Sequence, residues 1–300
     1  MGKIKKDSLG DRQKSYEAVS ESRLVPKMPI IIRIDGKAFH TYTRGMKKPF
    51  DNVLGYAMRE TTRALCKDVH TCVFGYTQSD EITLILKLPD RIKSQEYVNR
   101  RVQKMVSLTA SKATRYFNKF FRKAVEEFEE FNRKKSLELS RAIGKYGINS
   151  YEVIKLENEV DLDSEKLYKT YIKRLGDAEF DSRAFNIPEW DCINNIIWRQ
   201  QDAIRNSVEA VGHVYFSDKE LNKVKCEQIK EKLINEKGID WENDFTSYQK
   251  YGACCYKSIE EKKIGDTTVF RNSWHIDENE GIIIQDSRDW FSTITGLSED

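Results

Sequence analysis

From Glu81 to Leu88 the sequence EITLILKL alternates, with Ile82, Leu84, Leu86 and Leu88 falling on one side. A period of two sustained over such a run is the signature of a strand with one buried face. Just upstream, VHTCVFGY reads as a second strand, and Thr77-Gln78-Ser79-Asp80 between the two reads as a hairpin tip. A third strand is signalled earlier, in PIIIRIDGKAFHTY (Pro29 to Tyr42), where an isoleucine run bounded by turn formers ends at Asp35. Between this strand and the hairpin, Leu54, Met58, Thr61 and Leu65 share one helical face, and Asp51 is placed to act as the N-cap.

After the hairpin, Val98, Val102, Met105, Val106, Thr109, Ala113, Tyr116, Phe117 and Phe120 recur at helical spacing and predict a long helix from Ser94 onward. A charged, mostly helical region from about 123 to 177 has the character of an insertion, and SRAFNIP near 182 to 188 supplies a last strand. The order β-α-β-β-α-β with an insertion predicts an α+β chain built on a ferredoxin-like core, the arrangement that also underlies polymerase palms. The expected organisation is an N-terminal helical arm (1–28), a palm-like catalytic core (29–122 and 178–215), the helical insertion (123–177) and a C-terminal extension (216–300). A helix from Trp190 to about Val211 turns Ile193, Ile197, Ile204, Val208 and Val211 toward a core. The tail reads as a basic helix with short strands.

Bulk composition narrows the partners only a little. The 300 residues carry 51 basic and 48 acidic side chains, for a net charge of +3, so any phosphate-binding surface must be local. The six cysteines show neither a C-x-x-C pair nor a histidine at zinc-like spacing, which argues against a structural metal cage and for reduced thiols in the cytoplasm. The start lacks the apolar core of a signal peptide, and no run of about 18 apolar residues predicts a membrane span.

In a ferredoxin-like sheet the first strand pairs with the second strand of the hairpin, which brings Asp35 at one strand end toward Asp80 at the hairpin tip. Neighbouring carboxylates repel, and a divalent cation is what most readily keeps both ionised. Mg²⁺ suits such oxygen ligands and retains bonds to water and substrate phosphates. Gly36, without a side chain, exposes its backbone carbonyl to the same place. Strand alternation lets only one of Asp80 and Glu81 face Asp35, and Asp80 is the expected partner, with Glu81 secondary. Two metal ions held this way suit in-line displacement at phosphorus, although D-G and S-D pairs are also ordinary turn residues.

The segments RIDGKAFH (33–40), KKPFD (47–51), GYTQSDEITLIL (75–86), SLTASKATRYFN (107–118), FDSR (180–183), WRQQDAIRNS (198–207) and YQKYG (248–252) together resemble the histidine-tRNA guanylyltransferase family and its bacterial and archaeal-type relatives. The resemblance implies a palm enzyme that adds nucleotides to the 5′ end of tRNA, in the direction opposite to ordinary polymerases, using ATP, GTP and two Mg²⁺ ions. It implies that Asp35 and Asp80 bind the metals with the Gly36 carbonyl, supported by Glu81. Lys37, Phe39, His40, Lys48, Ser79, Arg183, Arg199, Asp202, Arg205, Asn206 and Lys250 are the corresponding candidates for nucleotide or RNA binding. Their plainer readings stay open: Phe39 in the core, His40 on the surface, and Arg199 with Asp202 as an internal ion pair. The family further implies a homotetramer.

After WRQQD this chain reads AIRNSVEA where the enzymes that add one guanosine to histidine tRNA carry a motif of the type HINNLYNT. That departure resembles the relatives that repair truncated 5′ ends of several tRNAs against a template, and it sets template-dependent repair ahead of strict histidine-tRNA specificity. A palm-type nucleotide cyclase is disfavoured because Gln78-Ser79-Asp80-Glu81-Ile82 stands where a G-G-D-E-F-like hairpin would be. A non-catalytic RNA-binding protein is disfavoured by the absence of the aromatic sheet motif such proteins display.

Overall fold

The computed structural model describes residues 8–88, 94–146, 164–264, 267–277 and 280–298. Residues 1–7 of the expected N-terminal arm and 147–163 of the expected insertion lie outside the described residues. In chain order the elements are α1 (Leu9–Val19), β1 (Ile30–Gly36), α2 (Phe39–Tyr42), α3 (Asn52–Asp68), β2 (Cys72–Gln78), β3 (Glu81–Leu86) and α4 (Val102–Tyr146). They continue with α5 (Ser164–Ile172), β4 (Phe180–Asn186), α6 (Cys192–Tyr215), α7 (Asp218–Leu221), α8 (Cys226–Lys237), α9 (Ser247–Tyr251), β5 (Ala253–Ile264), β6 (Thr267–Ile276) and α10 (Arg288–Thr295). The strands form one sheet in the order β4-β1-β3-β2-β5-β6, with every pairing antiparallel. The first four strands with α3 and α4 reproduce the ferredoxin-like order, so the chain is an α+β protein.

The isoleucine run of β1 breaks strict alternation because the strand is central and covered on both faces. Ile30, Ile32 and Ile34 join Ile82, Leu84 and Leu86 against Met58 and Leu65 of α3 and Met105 and Phe117 of α4. Ile31 points the other way, with Phe74, Tyr76 and Ile85, against Ile193, Ile196 and Ile197 of α6 and Phe291 of α10. Each such side chain contributes roughly 1.5–3 kcal/mol by leaving water. Further along α6, Val208 and Val211 pack with Ile229 and Leu233 of α8 and with Trp241. One helix therefore ties the palm sheet to the C-terminal region.

Asp51 caps α3 as its position predicts, accepting a hydrogen bond from the Leu54 N–H at 3.0 Å. It also accepts from the Lys47 N–H at 2.9 Å and the Tyr171 hydroxyl at 2.7 Å. The cap thus binds the loop before α3 and helix α5 to one carboxylate.

Several boundaries differ from the sequence reading, for identifiable reasons. The long helix begins at Val102 rather than Ser94, because the preceding backbone is engaged elsewhere. Leu24 N–H donates to the Arg100 carbonyl at 3.0 Å, Val102 N–H donates to the Ser22 carbonyl at 3.0 Å, and Arg23 bridges Arg101. Val98, Asn99 and Arg100 accordingly adopt φ of 41°, 53° and 59°, which ends any helix there. From Val102 the helix runs unbroken past residue 123. The last palm strand spans Phe180–Asn186, slightly earlier than read, and the tail strands β5 and β6 are long, at 12 and 10 residues. They extend the sheet beyond β2, an addition that the four-strand pattern does not anticipate.

Candidate active site

The register of three strands sets the site. Asp35, near the end of β1, lies opposite Glu81 on β3 and opposite Asp181 on β4. Directly opposed residues of an antiparallel pair project from the same face, so Asp35, Glu81 and Asp181 all point to the side covered by α6. Asp80 joins them from the turn. Only Ser79 and Asp80 stand between the paired Gln78 and Glu81, and Ser79 takes φ of 48° to reverse the chain. Gly36 N–H donates to the Asp80 carbonyl at 3.1 Å, which pins the turn beside the β1 end. The side chain of Thr77 adds a bond from Oγ1 to the Glu81 carbonyl at 3.0 Å.

Alternation predicted that one of Asp80 and Glu81 would face Asp35. In the structure the two carboxylates divide the roles differently. Glu81 is the cross-strand partner, yet it is already neutralised: Arg199 Nε lies 2.7 Å from its Oε1, and Arg33 Nε lies 3.8 Å from its Oε2. The Arg199 Nε–H is not aimed along that contact, so the pairing is ionic rather than a hydrogen bond. Burial pushes the Glu81 carboxyl above its ordinary range, Arg199 and then Arg33 pull it down, and the charges of Asp35 and Asp202 push it up. Asp80 is raised by burial first and by the Asp35 charge second, while the Ser79 hydroxyl, 3.1 Å away, opposes the rise. Neither Asp35 nor Asp80 is ion-paired with a lysine or arginine among the described residues.

A half-buried Asp80 raised by the charge of Asp35, with no basic partner on either acid, fits a cation, because a divalent ion would relieve both the burial and the repulsion. Among the described residues no three His, Cys, Asp or Glu side chains form a complete metal cage. An open two-carboxylate site matches the habit of Mg²⁺, which keeps waters and substrate phosphates as its remaining ligands.

The same hairpin tip lines a pocket of about 270 Å³, together with Pro49, Asn52, Arg59, Asn206 and Tyr248 among others. Arg59 lies over the Tyr248 ring, 4.5 Å from its centroid. The Tyr248 hydroxyl is pushed up to about 12, mainly by burial and partly by the Asp80 charge, so this pocket and the acid pair share one electrostatic neighbourhood.

The other candidate residues fall into distinct places. Lys48 is exposed next to the pocket-lining Pro49, and Asn206 lines the pocket while donating to Asp202 at 3.4 Å. Arg199 and Asp202 pair at 2.6 Å, and Asp202 also takes the Arg205 guanidinium. Arg183 is exposed on the edge strand β4, opposite Arg33 and 3.9 Å from Asp181. Four candidates have their side chains engaged or exposed elsewhere. Phe39 is 4% exposed and packs against Tyr42, Phe117 and Phe180, its ring filling the space a side chain at Gly36 would need. His40 is exposed on α2, and Lys37 reaches Glu179 at 2.6 Å. Lys250 is buried, donating to the Glu242 carbonyl beside the Trp241 and Tyr251 rings. Asp181, Arg59 and Tyr248 were missed by sequence reasoning, because only the β1–β4 register and the approach of α9 to α3 bring them here.

An antiparallel palm with unpaired acids at adjoining strand ends, next to a pocket lined by the hairpin that carries one of them, is the build of a nucleotidyltransferase. A family model described as tRNAHis guanylyltransferase matches residues 10–188, and the chain belongs to that family, whose members are nucleotidyltransferases acting on tRNA. A bacterial tRNA(His) guanylyltransferase-like protein in complex with ATP is similar over 97% of this chain and 100% of its own, at 32% identity and a TM-score of 0.69. The corresponding complex with GTP gives 30% identity and a TM-score of 0.68 over the same shares. An uncharacterised protein of Acanthamoeba polyphaga mimivirus is 27% identical over 280 residues, 90% of this chain and 84% of that protein. The tRNA(His) guanylyltransferase of Schizosaccharomyces pombe is 35% identical over 106 residues, 35% of this chain but only 38% of that enzyme. No helix among the described residues is long and apolar enough to cross a membrane.

Proposed function

We propose that the protein is a 3′-to-5′ nucleotidyltransferase that adds nucleotides, GTP favoured, to the 5′ end of tRNA and restores incomplete 5′ ends against a template strand. The observation that carries this reading is the Asp35–Asp80 pair, two half-buried carboxylates without a basic partner, Asp80 on a hairpin whose Gln78 and Ser79 line a pocket. The ATP and GTP complexes of the bacterial relative support the same assignment.

In the first reaction, an oxygen of the RNA 5′-monophosphate attacks the α-phosphorus of ATP, forming a new P–O bond and releasing pyrophosphate. In the second, the 3′-hydroxyl of GTP attacks the 5′-phosphorus, AMP leaves, and the hydroxyl proton passes to solvent. Asp35 and Asp80, with the Gly36 carbonyl, would hold two Mg²⁺ ions, which supply charge neutralisation of the phosphates and acidify the attacking hydroxyl. Ser79 and Asn206 border the pocket and orient the nucleotide there, with the Arg59–Tyr248 stack as its wall. Arg199 and Arg33 keep Glu81 neutralised, so that the acid pair stays distinct from its neighbour. The same reading includes a cytoplasmic homotetramer.

A tRNA with a 5′-monophosphate and lacking its first nucleotide, incubated with ATP, GTP and Mg²⁺, tests the proposal. Extension at the 5′ end that follows the opposite template base and vanishes in Asp35→Ala is expected. Neither an adenylylated intermediate nor extension, on monophosphate and triphosphate RNAs alike, would overturn it.

A further inference from the structure

Trp198 lies on α6 with 52% of its surface exposed. The Arg199 guanidinium sits 4.3 Å from the centroid of its ring. That guanidinium is held in turn by Glu81 at 2.7 Å and Asp202 at 2.6 Å. The indole is therefore stacked against a cation anchored by two carboxylates, while half of its surface faces water. Glu81 is the cross-strand partner of Asp35, so this anchored ring belongs to the same local framework as the acid pair.

The surroundings define what the open part of the ring suits. Arg33 reaches Glu81 from β1, and Arg183 lies opposite Arg33 on the edge strand. Arg205 holds Asp202 from one turn further along α6. A half-exposed aromatic ring stacked on one guanidinium, with further arginines on the strands and helix that frame the acids, has the make-up of single-stranded nucleic-acid sites, where bases stack on rings and backbones follow positive charge. Trp198 does not line the 270 Å³ pocket. The helix separates it from the pocket residue Asn206 by eight positions, about 12 Å at the α-helical rise. The pocket and the ring thus offer places for two different bases.

We propose that Trp198 is a stacking platform for an unpaired base of the RNA substrate, holding the strand next to Asp35 while the nucleotide occupies the pocket. This rests on the 5′-end reading above and adds to it a substrate contact at a named ring. Arg199 and Asp202 act through that ring, as positioning residues, by fixing the orientation of the indole.

The test compares wild type, Trp198→Ala and Trp198→Phe in two binding measurements: anisotropy of a labelled 5′-truncated tRNA and titration with GTP. Trp198→Ala should weaken RNA binding by about 5-fold to 150-fold, the span of one base stacked on one ring. Trp198→Phe should recover most of it, and GTP affinity should be the same in all three. Unchanged RNA affinity in Trp198→Ala, with wild type still extending RNA, overturns this inference alone. A parallel fall in GTP affinity, or a Phe variant as weak as Ala, also overturns it. So does a change in mass by light scattering without a change in RNA affinity, which would mean that a second copy of the chain covers the ring. Wild type that binds GTP and no RNA removes both the platform and the 5′-end reading.

Discussion

Replacing Arg199 with methionine isolates the buried pair on which the site's electrostatics turn. The Arg199 and Glu81 side chains are only 7% and 11% exposed and approach to 2.7 Å, so neither is well screened by water. Removing one partner of such a pair costs about 3–5 kcal/mol, because the other charge stays buried. Glu81 has an escape, since it can take up a proton. Holding an acid of ordinary pKa 4.5 neutral costs about 3.4 kcal/mol at pH 7 but only about 0.7 at pH 5. Burial already raises the folded-state pKa of Glu81, which favours the fold in acid and loses that advantage as pH rises through the folded value. Arg199 is the largest influence pulling it back, so its loss moves the folded value further up and widens the window in which stability declines. The expected loss is about 3 kcal/mol at pH 7 and about 1 at pH 5. Urea unfolding followed by circular dichroism at pH 5, 6 and 7 in EDTA reads it. The double variant with Glu81→Gln should recover most of the loss at pH 7. A loss that is equal at pH 5 and pH 7, or that persists in the double variant, would refute the assignment of the penalty to Glu81.

Three further outcomes follow from the same geometry. Saturating Mg²⁺ at 100 times its dissociation constant should stabilise wild type by about 2.7 kcal/mol in thermal melts and leave Asp35→Asn unmoved; equal stabilisation of both would place the ion elsewhere. Gly36→Ala would set a Cβ 2.4 Å from the Phe39 ring, so it should cost about 1–3 kcal/mol in a chemical melt, and a neutral result would mean the ring swings aside freely. Asp51→Ala removes the acceptor for the Leu54 and Lys47 N–H groups and the Tyr171 hydroxyl, and should cost about 2 kcal/mol or more, measured the same way.

What the sequence made legible was local. The alternation of β3, the isoleucine run of β1 and the capping carboxylate of Asp51 each depend on neighbours a few positions away, and each stands where the pattern put it. The start of α4 was not legible, because its would-be first turns surrender backbone groups to Ser22 and Leu24, some 80 residues earlier by number, and to the bridge at Arg23. Likewise the three-residue spacing of Arg199 and Asp202 left an internal pair open beside a nucleotide-binding role, and the pair forms. Its burial and its hold on Glu81 depend on which way a strand faces α6, and no spacing within the helix records that. Phe39 shows the converse limit: its place just after the acid strand left a base contact and the core equally open in sequence, and the tight approach to Gly36 puts its ring in the core.

The turn at Ser79–Asp80 explains why one short hairpin can serve both halves of the site. Its Asp80 carboxylate feels the charge of Asp35, and its Ser79 and Gln78 line the pocket. A turn shared in this way is useful only if it does not drift, since displacement toward one partner is displacement from the other. The fold restrains it from three directions: Gly36 N–H on the Asp80 carbonyl from β1, Thr77 Oγ1 on the Glu81 carbonyl across the hairpin, and the Tyr76 hydroxyl on the Tyr251 carbonyl at 2.7 Å from the C-terminal region. The last of these gives the C-terminal extension a mechanical role. By pairing β5 with β2 and seating α9 against the pocket, it braces the hairpin from the side that the four-stranded palm leaves as an open edge.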